Sequence, residues 1–256
     1  NTGLVIMEME EHGTLGQDGE YTSGHNPVFI GQNPGKNTFR HSLTGSLRGY
    51  TMLGTASSAV YPKWGIGAEI GASGSLESSR YLSPMGYFYL YGYVPGILSE
   101  QGLKLTLMTQ QKLRSDSVFG QPIVSILPRG LSSNASIASW LSIRNANITK
   151  ITADYAVPVF KAKHHALVAR AGGNFFSIKR LVVTPHFDYS FIGRKGLWSA
   201  GADLTLDMHS ILTLEWPCSF GVTMSYNGGP SWKSISIDSG ITLNRFHIGP
   251  TFNVSF

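Results

Sequence analysis

The chain has 256 residues, 42% of them hydrophobic and only 14% charged, against about 25% charged in an ordinary soluble domain. Lys and Arg number 20 against 15 Asp and Glu, and this +5 is spread without any basic run, which argues against nucleic-acid binding. A single Cys excludes a disulfide framework and any Cys-based zinc or iron–sulfur site. No run approaches the roughly 20 apolar residues of a transmembrane helix.

The chain opens Asn1-Thr2-Gly3, with no initiator Met and no signal peptide, as expected of a processed mature chain or a piece of a longer protein. Residues 1–37 hold Gly-rich loops and the acidic cluster Glu8, Glu10 and Glu11, and read as an N-terminal extension or the remnant of a preceding domain, with a further strand candidate over 3–9. From residue 38 onward the dominant period is two, the signature of strands with one apolar and one polar face. Strands are expected over 38–54, 63–74, 85–95, 101–112, 135–145, 148–160, 164–176, 178–192, 197–209, 211–227, 231–243 and 245–256, with another candidate at 122–127. In 178–192, Leu181, Val183, Phe187, Tyr189 and Phe191 alternate with Arg180, Thr184, His186 and Asp188. In 197–209, Trp198, Ala200, Ala202, Leu204 and Leu206 alternate with Ser199, Asp203, Thr205 and Asp207. Clusters of Gly, Asn, Pro and Ser, such as Asn227-Gly228-Gly229-Pro230, separate the segments.

Soluble strands usually run 5 or 6 residues; many here run about 11 to 15, whereas a tilted membrane strand needs roughly 9–11. One face of the C-terminal strands is nearly all apolar and aromatic. Pointed inward, large aromatics from about a dozen strands could not all pack; pointed outward, they would meet lipid and leave a polar interior. Aromatics cluster near strand ends at Phe175, Phe176, Tyr189, Phe191, Trp198, Tyr226 and Trp232, as an interfacial girdle requires. The expected fold is therefore an all-β, closed antiparallel transmembrane β-barrel of about 12 strands (12–16), occupying residues 38–256.

The last strand reads His247-Ile248-Gly249-Pro250-Thr251-Phe252-Asn253-Val254-Ser255-Phe256. It resembles the C-terminal assembly signal of bacterial outer-membrane barrels, with Gly249, Phe252, Val254 and Phe256 at the matching positions, a signal that the assembly machinery takes up as an added strand. A second resemblance rests on Ile178-Lys179-Arg180-Leu181, Phe187-Asp188-Tyr189, Trp198-Ser199-Ala200-Gly201, Leu214-Glu215-Trp216-Pro217 and Ser225-Tyr226-Asn227-Gly228-Gly229. Over residues from about 151 to 256 the chain is similar to the C-terminal barrel of Bacteroidetes outer-membrane proteins that carry a TolB-like β-propeller ahead of it. That resemblance implies the outer membrane of a Gram-negative bacterium, and no propeller repeat is present in this sequence.

The polar face carries the candidate chemistry. Arg40, Arg48, Arg180, His186, Asp203, Asp207 and Glu215 are expected to form a charge network in the lumen. Matching the apolar faces across the turn at Gly193-Arg194-Lys195-Gly196, with Phe191 opposite Trp198, sets His186 opposite Asp203 and Arg180 opposite His209, diagonal to Asp207. The glycines Gly65, Gly67, Gly71 and Gly74 lack the strand-to-helix context of a nucleotide site and read as lumen-facing residues that relieve crowding. Cys218 reads as an inert lipid-facing residue, and His164-His165 as a solvated basic loop. No metal, cofactor or catalytic residue is expected. The function expected is that of a membrane anchor or scaffold in a cell-envelope assembly, or of a porin-like solute channel. Its partners would be outer-membrane lipids including lipopolysaccharide, the barrel assembly machinery and other envelope proteins. The alternative is an outer-membrane phospholipase or protease, for which His209-Ser210 and His186 with Asp203 are the only echoes.

Overall fold

A computed structural model describes residues 7–14, 20–23, 26–29, 39–53, 59–75, 82–98, 100–114, 119–120, 127–131, 147–161, 168–170, 174–211, 218–239 and 242–254. Its main element is one antiparallel sheet in which ten strands follow each other in chain order: β1 (Met7–Thr14), β4 (Phe39–Met52), β5 (Gly65–Ser75), β7 (Met85–Pro95), β8 (Gly102–Lys112), β10 (Ile148–Lys161), β12 (Asn174–Ile192), β13 (Lys195–Ile211), β14 (Cys218–Gly228) and β15 (Phe246–Val254). The three-residue β11 (Val168–Arg170) adds to β12. Two small pairs lie apart from it, β2 (Glu20–Ser23) with β3 (Asn26–Phe29) and β6 (Leu82–Ser83) with β9 (Phe119–Gly120).

β1 and β15 are the ends of the path and do not pair with each other among the described residues, so the sheet is open where a closed barrel was expected. The path holds ten strands instead of about 12 for identifiable reasons. The described residues of 164–176 fall in β11 and the start of β12, and 231–243 hold a helix, α1 (Trp232–Ser239). The expected strand at 135–145 lies outside the described residues, as does nearly all of 122–127. β1 lies within the expected N-terminal extension and pairs with β4 from Met7 opposite Gly45 to Thr14 opposite Phe39.

The α1 segment alternates in sequence, but burial follows the helical period. Trp232 and Ile235, three apart, are buried, while Ile237 is exposed. Ser231 begins the helix, its carbonyl accepting from the Ile235 N–H at 3.0 Å, while its hydroxyl accepts from the Gly196 N–H at 3.1 Å and ties the helix to β13. Trp232 therefore belongs to an apolar cluster with Leu127, Leu131, Ile148, Ile192, Leu197, Ile235 and Leu243, not to an aromatic girdle. This cluster lies at the end of the sheet where β10 begins and β12 turns into β13. Replacing the fully buried Ile235 with Ala is expected to cost about 2–5 kcal/mol, read from urea unfolding followed by Trp fluorescence; a loss under about 1 kcal/mol would mean that α1 is not docked there.

The β12–β13 hairpin keeps the expected faces but slips by two residues. Tyr189, not Phe191, is opposite Trp198; His186 faces Gly201 and Thr184 faces Asp203. The turn decides this. Ile192 pairs with Lys195, leaving Gly193-Arg194 as the two-residue loop, and Gly193 sits at φ 59°. Tight hairpin turns need positive φ at the first central residue, which Gly supplies without strain and Arg does not.

Exposure is inverted relative to a water-soluble sheet. Following hydrogen-bonded neighbours across the strands, one rung reads Tyr93, Lys104, Asp154, His186, Gly201, Ser225 and His247. The next reads Tyr91, Thr106, Thr152, Asp188, Ser199 and Asn227. These rungs belong to the polar face, and that face is the buried one: Asp188 and Asn227 are 0% exposed and His186 5%. On the other face Ile66, Ile151, Phe187, Phe220 and Phe252 lie open, Ile66 at 56% and Phe187 at 47%. Cys218 is an exception on the apolar face, buried opposite Met208 and Val254 instead of exposed.

Candidate functional site

Two chain segments outside the strands fold onto the polar face. Residues 127–131 touch β10, β12, β13 and β14. Residues 59–61 reach β12, where Arg180 donates to the Ala59 carbonyl at 2.8 Å, and also β7, where Tyr61 packs on Tyr93 with ring centroids 5.5 Å apart. Burial pushes the Tyr61 hydroxyl pKa up, and the Asp154 charge adds to the effect.

Arg129 is the centre of the site. Its guanidinium hydrogen-bonds Asp154 of β10 and, at 3.0 Å, Asp203 of β13, and its Nε lies 3.5 Å from Asp188 of β12. Its backbone N–H donates to the same Asp188 carboxylate at 2.9 Å. Burial works against its positive charge, but the three carboxylates outweigh burial and hold its pKa above the ordinary value. Lys150 completes the cluster, with Nζ 3.4 Å from Asp188 and donating to the Leu127 carbonyl at 2.9 Å. Gly130, next in the segment, has φ 80°, and a Cβ there would lie 2.4 Å from the Ser225 hydroxyl, so only Gly lets the segment lie this close to β14. With Lys104 opposite Asp154, three cations face three carboxylates.

His186 lies across Gly201, with Nδ1 3.5 Å from Asp203. Among the described residues no hydroxyl is hydrogen-bonded to either ring nitrogen in the manner of a Ser–His pair. Asp203 instead accepts from Thr223 of β14. Unmet hydrogen-bonding capacity collects on these rungs, at both His186 nitrogens, Asp188 Oδ1, the hydroxyls of Ser199 and Ser225, and the Asn227 amide.

A second group joins β4, β5 and β7. Arg48 pairs with Glu69 at 2.6 Å, and the Tyr87 hydroxyl donates to the other Glu69 oxygen at 2.5 Å. A third joins Arg180 to Asp207 at 2.5 Å, directly opposite where a diagonal was expected. Of the expected network, Arg48, Arg180, His186, Asp203 and Asp207 thus lie on the polar face, divided among three groups. Arg40 is placed by backbone pairing with His12, and Glu215 lies outside the described residues. In the expected assembly signal, Gly249 pairs with Thr223, Val254 with Cys218 and Phe252 with Phe220, the last two rings 4.7 Å apart; Phe256 lies outside the described residues. His164-His165 also lies outside them.

Sequence reasoning missed Arg129, which sits in a connection with no period. The available signal was local: an Arg between Pro128 and Gly130, flanked by Leu127 and Leu131, is an odd composition for a solvated loop. Fold and site together define an antiparallel β-meander with a charged, buried face and an apolar, exposed one. Compared with protein-family models, curated proteins and solved structures, the chain matches none.

Proposed function

We propose that this protein is an integral β-barrel of a bacterial outer membrane, acting as an anchor or scaffold in the cell envelope with an interior partly filled by its own chain. The inverted exposure carries the reading. An apolar face left open over much of the described sheet, over a charged face that is buried, is costly in water and favourable in lipid.

Three further observations support it. The path has an even number of strands, and β1 and β15 run antiparallel to each other, as closure of the sheet between them requires. Aromatics on the open face fall at two levels, Phe187, Tyr189 and Trp198 toward one end and Phe220 and Phe252 toward the other. From Trp198 to Leu206, the residue opposite Phe220, is about 27 Å along the strand; strand tilt brings this near the roughly 25 Å apolar band of outer-membrane barrels. The longest connection, 113–147, and the one holding α1 lie at the same end, as long external loops do. The interior segments at 59–61 and 127–131 favour a filled scaffold over an open porin.

The test is where single labels report lipid. On a Cys218→Ser background, fluorophores at Leu204 and Phe220 are expected to be quenched by lipid-borne quenchers, and fluorophores at Thr205 and Thr223 to be protected. The reverse pattern would place the apolar face inward and end the membrane reading.

A further inference from the structure

We infer that the polar face of β7 is a binding track for a neutral oligosaccharide. In sequence, Tyr87-Phe88-Tyr89-Leu90-Tyr91 has no clear polarity. From Tyr87 to Tyr93 every second residue of β7 is a tyrosine on the polar face, and the rings of Tyr89, Tyr91 and Tyr93 form a row that Tyr61 extends. Centroids are 5.1 Å apart from Tyr89 to Tyr91, 5.9 Å from Tyr91 to Tyr93 and 5.5 Å from Tyr93 to Tyr61. Each step is close to the length of one pyranose ring.

The neighbouring strand makes room for the row. Gly67 is opposite Tyr91, and a Cβ there would fall 2.3 Å from the Tyr91 ring. The ring covers this glycine, and Tyr89, Tyr91, Tyr93 and Tyr61 are all partly exposed, with neighbouring rings tilted by 32° from Tyr89 to Tyr91 and set edge-on at 74° from Tyr91 to Tyr93. The π faces offer a surface for the C–H side of a sugar. The flanking groups offer donors and acceptors for its hydroxyls, and their charges cancel. Arg48 is paired with Glu69, and Lys104, opposite Asp154, has its ammonium 5.9 Å over the Tyr93 ring. A track with balanced charge favours a polyhydroxylated neutral chain over an anionic one. The inference concerns the polar face whatever medium surrounds the apolar one.

The experiment is calorimetric titration of the purified full-length chain in detergent with glucose, maltotriose, maltohexaose and cellohexaose. Affinity is expected to rise with chain length for at least one linkage. Tyr91→Ala is expected to weaken the hexasaccharide about tenfold, and Tyr91→Phe to leave it unchanged, since the ring and not the hydroxyl makes the surface. Saturation-transfer NMR on the unmodified protein is expected to carry magnetisation from tyrosine ring protons to sugar C–H protons, a readout that does not depend on a variant folding. No saturable binding of either hexasaccharide, no transfer from the rings, or unchanged affinity in folded Tyr91→Ala would overturn the inference. The lipid-quenching pattern is independent of all three results, so the two readings fail separately.

Discussion

Arg129→Ala is expected to destabilise the protein by about 3–5 kcal/mol, the cost of leaving buried carboxylates without their cation. The size of the effect follows from the number of strands that meet at one guanidinium. Asp154, Asp188 and Asp203 come from β10, β12 and β13, and among the described residues the lysines left to offset them would be Lys150 and Lys104. Asp188 is fully buried, whereas the Asp203 side chain is 23% exposed. Arg129→Lys should fall between wild type and Ala, because an ammonium keeps the charge but cannot span the carboxylates as a planar fork does. Unfolding by urea in lipid vesicles measures each term. The same variant tests the filled interior. In planar bilayers the wild type is expected to be silent and Arg129→Ala to conduct, with cation selectivity set by the freed carboxylates. A variant within about 1 kcal/mol of wild type would mean that the three acids do not share this arginine.

Met224→Arg separates lipid from water at one residue. Met224 is 41% exposed on β14, between Ala202 and Ile248, midway between the two aromatic levels. In water, an arginine at an exposed strand position changes stability by about 0.5 kcal/mol or less. At the midplane of a bilayer it costs about 2–4 kcal/mol, and the cost falls to about 0–1 kcal/mol near the interface. Phe246→Arg, at the aromatic level beside Tyr226, supplies the shallow control. Equal and small effects at both depths, in vesicles, would remove the lipid from the explanation of the apolar face.

Much of this architecture was legible in the chain. Two-residue alternation located β4, β5, β8, β10, β12, β13 and β15 within a few residues, because the pleat of a strand forces the sequence to declare both faces. The same parity set Arg48, Arg180, His186, Asp203 and Asp207 on one face before any partner was known. Pairing was less legible. The hairpin slipped by two residues because a turn conformation at Gly193, invisible to alternation, chose the register, and a slip of two leaves the faces intact. The helix α1 escaped because eight residues with alternating Ile and Ser satisfy both periods, and only docking against Ile192 and Leu197 selects one.

Sequence alone determined the strand class, the two faces and which residues each face holds, since these follow from local period and side-chain polarity. The buried polar face was already expected, because large aromatics from about a dozen strands could not all pack inward; tertiary structure alone decided that Arg129 gathers three acids from strands far apart in the chain, and that tyrosines of β7 form a row with Tyr61. Those facts depend on contacts between residues distant in sequence: Arg129 with Asp203, Gly67 with Tyr91, Tyr61 with Tyr93. Alternation carries no record of such partners, because every strand with the same period would satisfy it equally well.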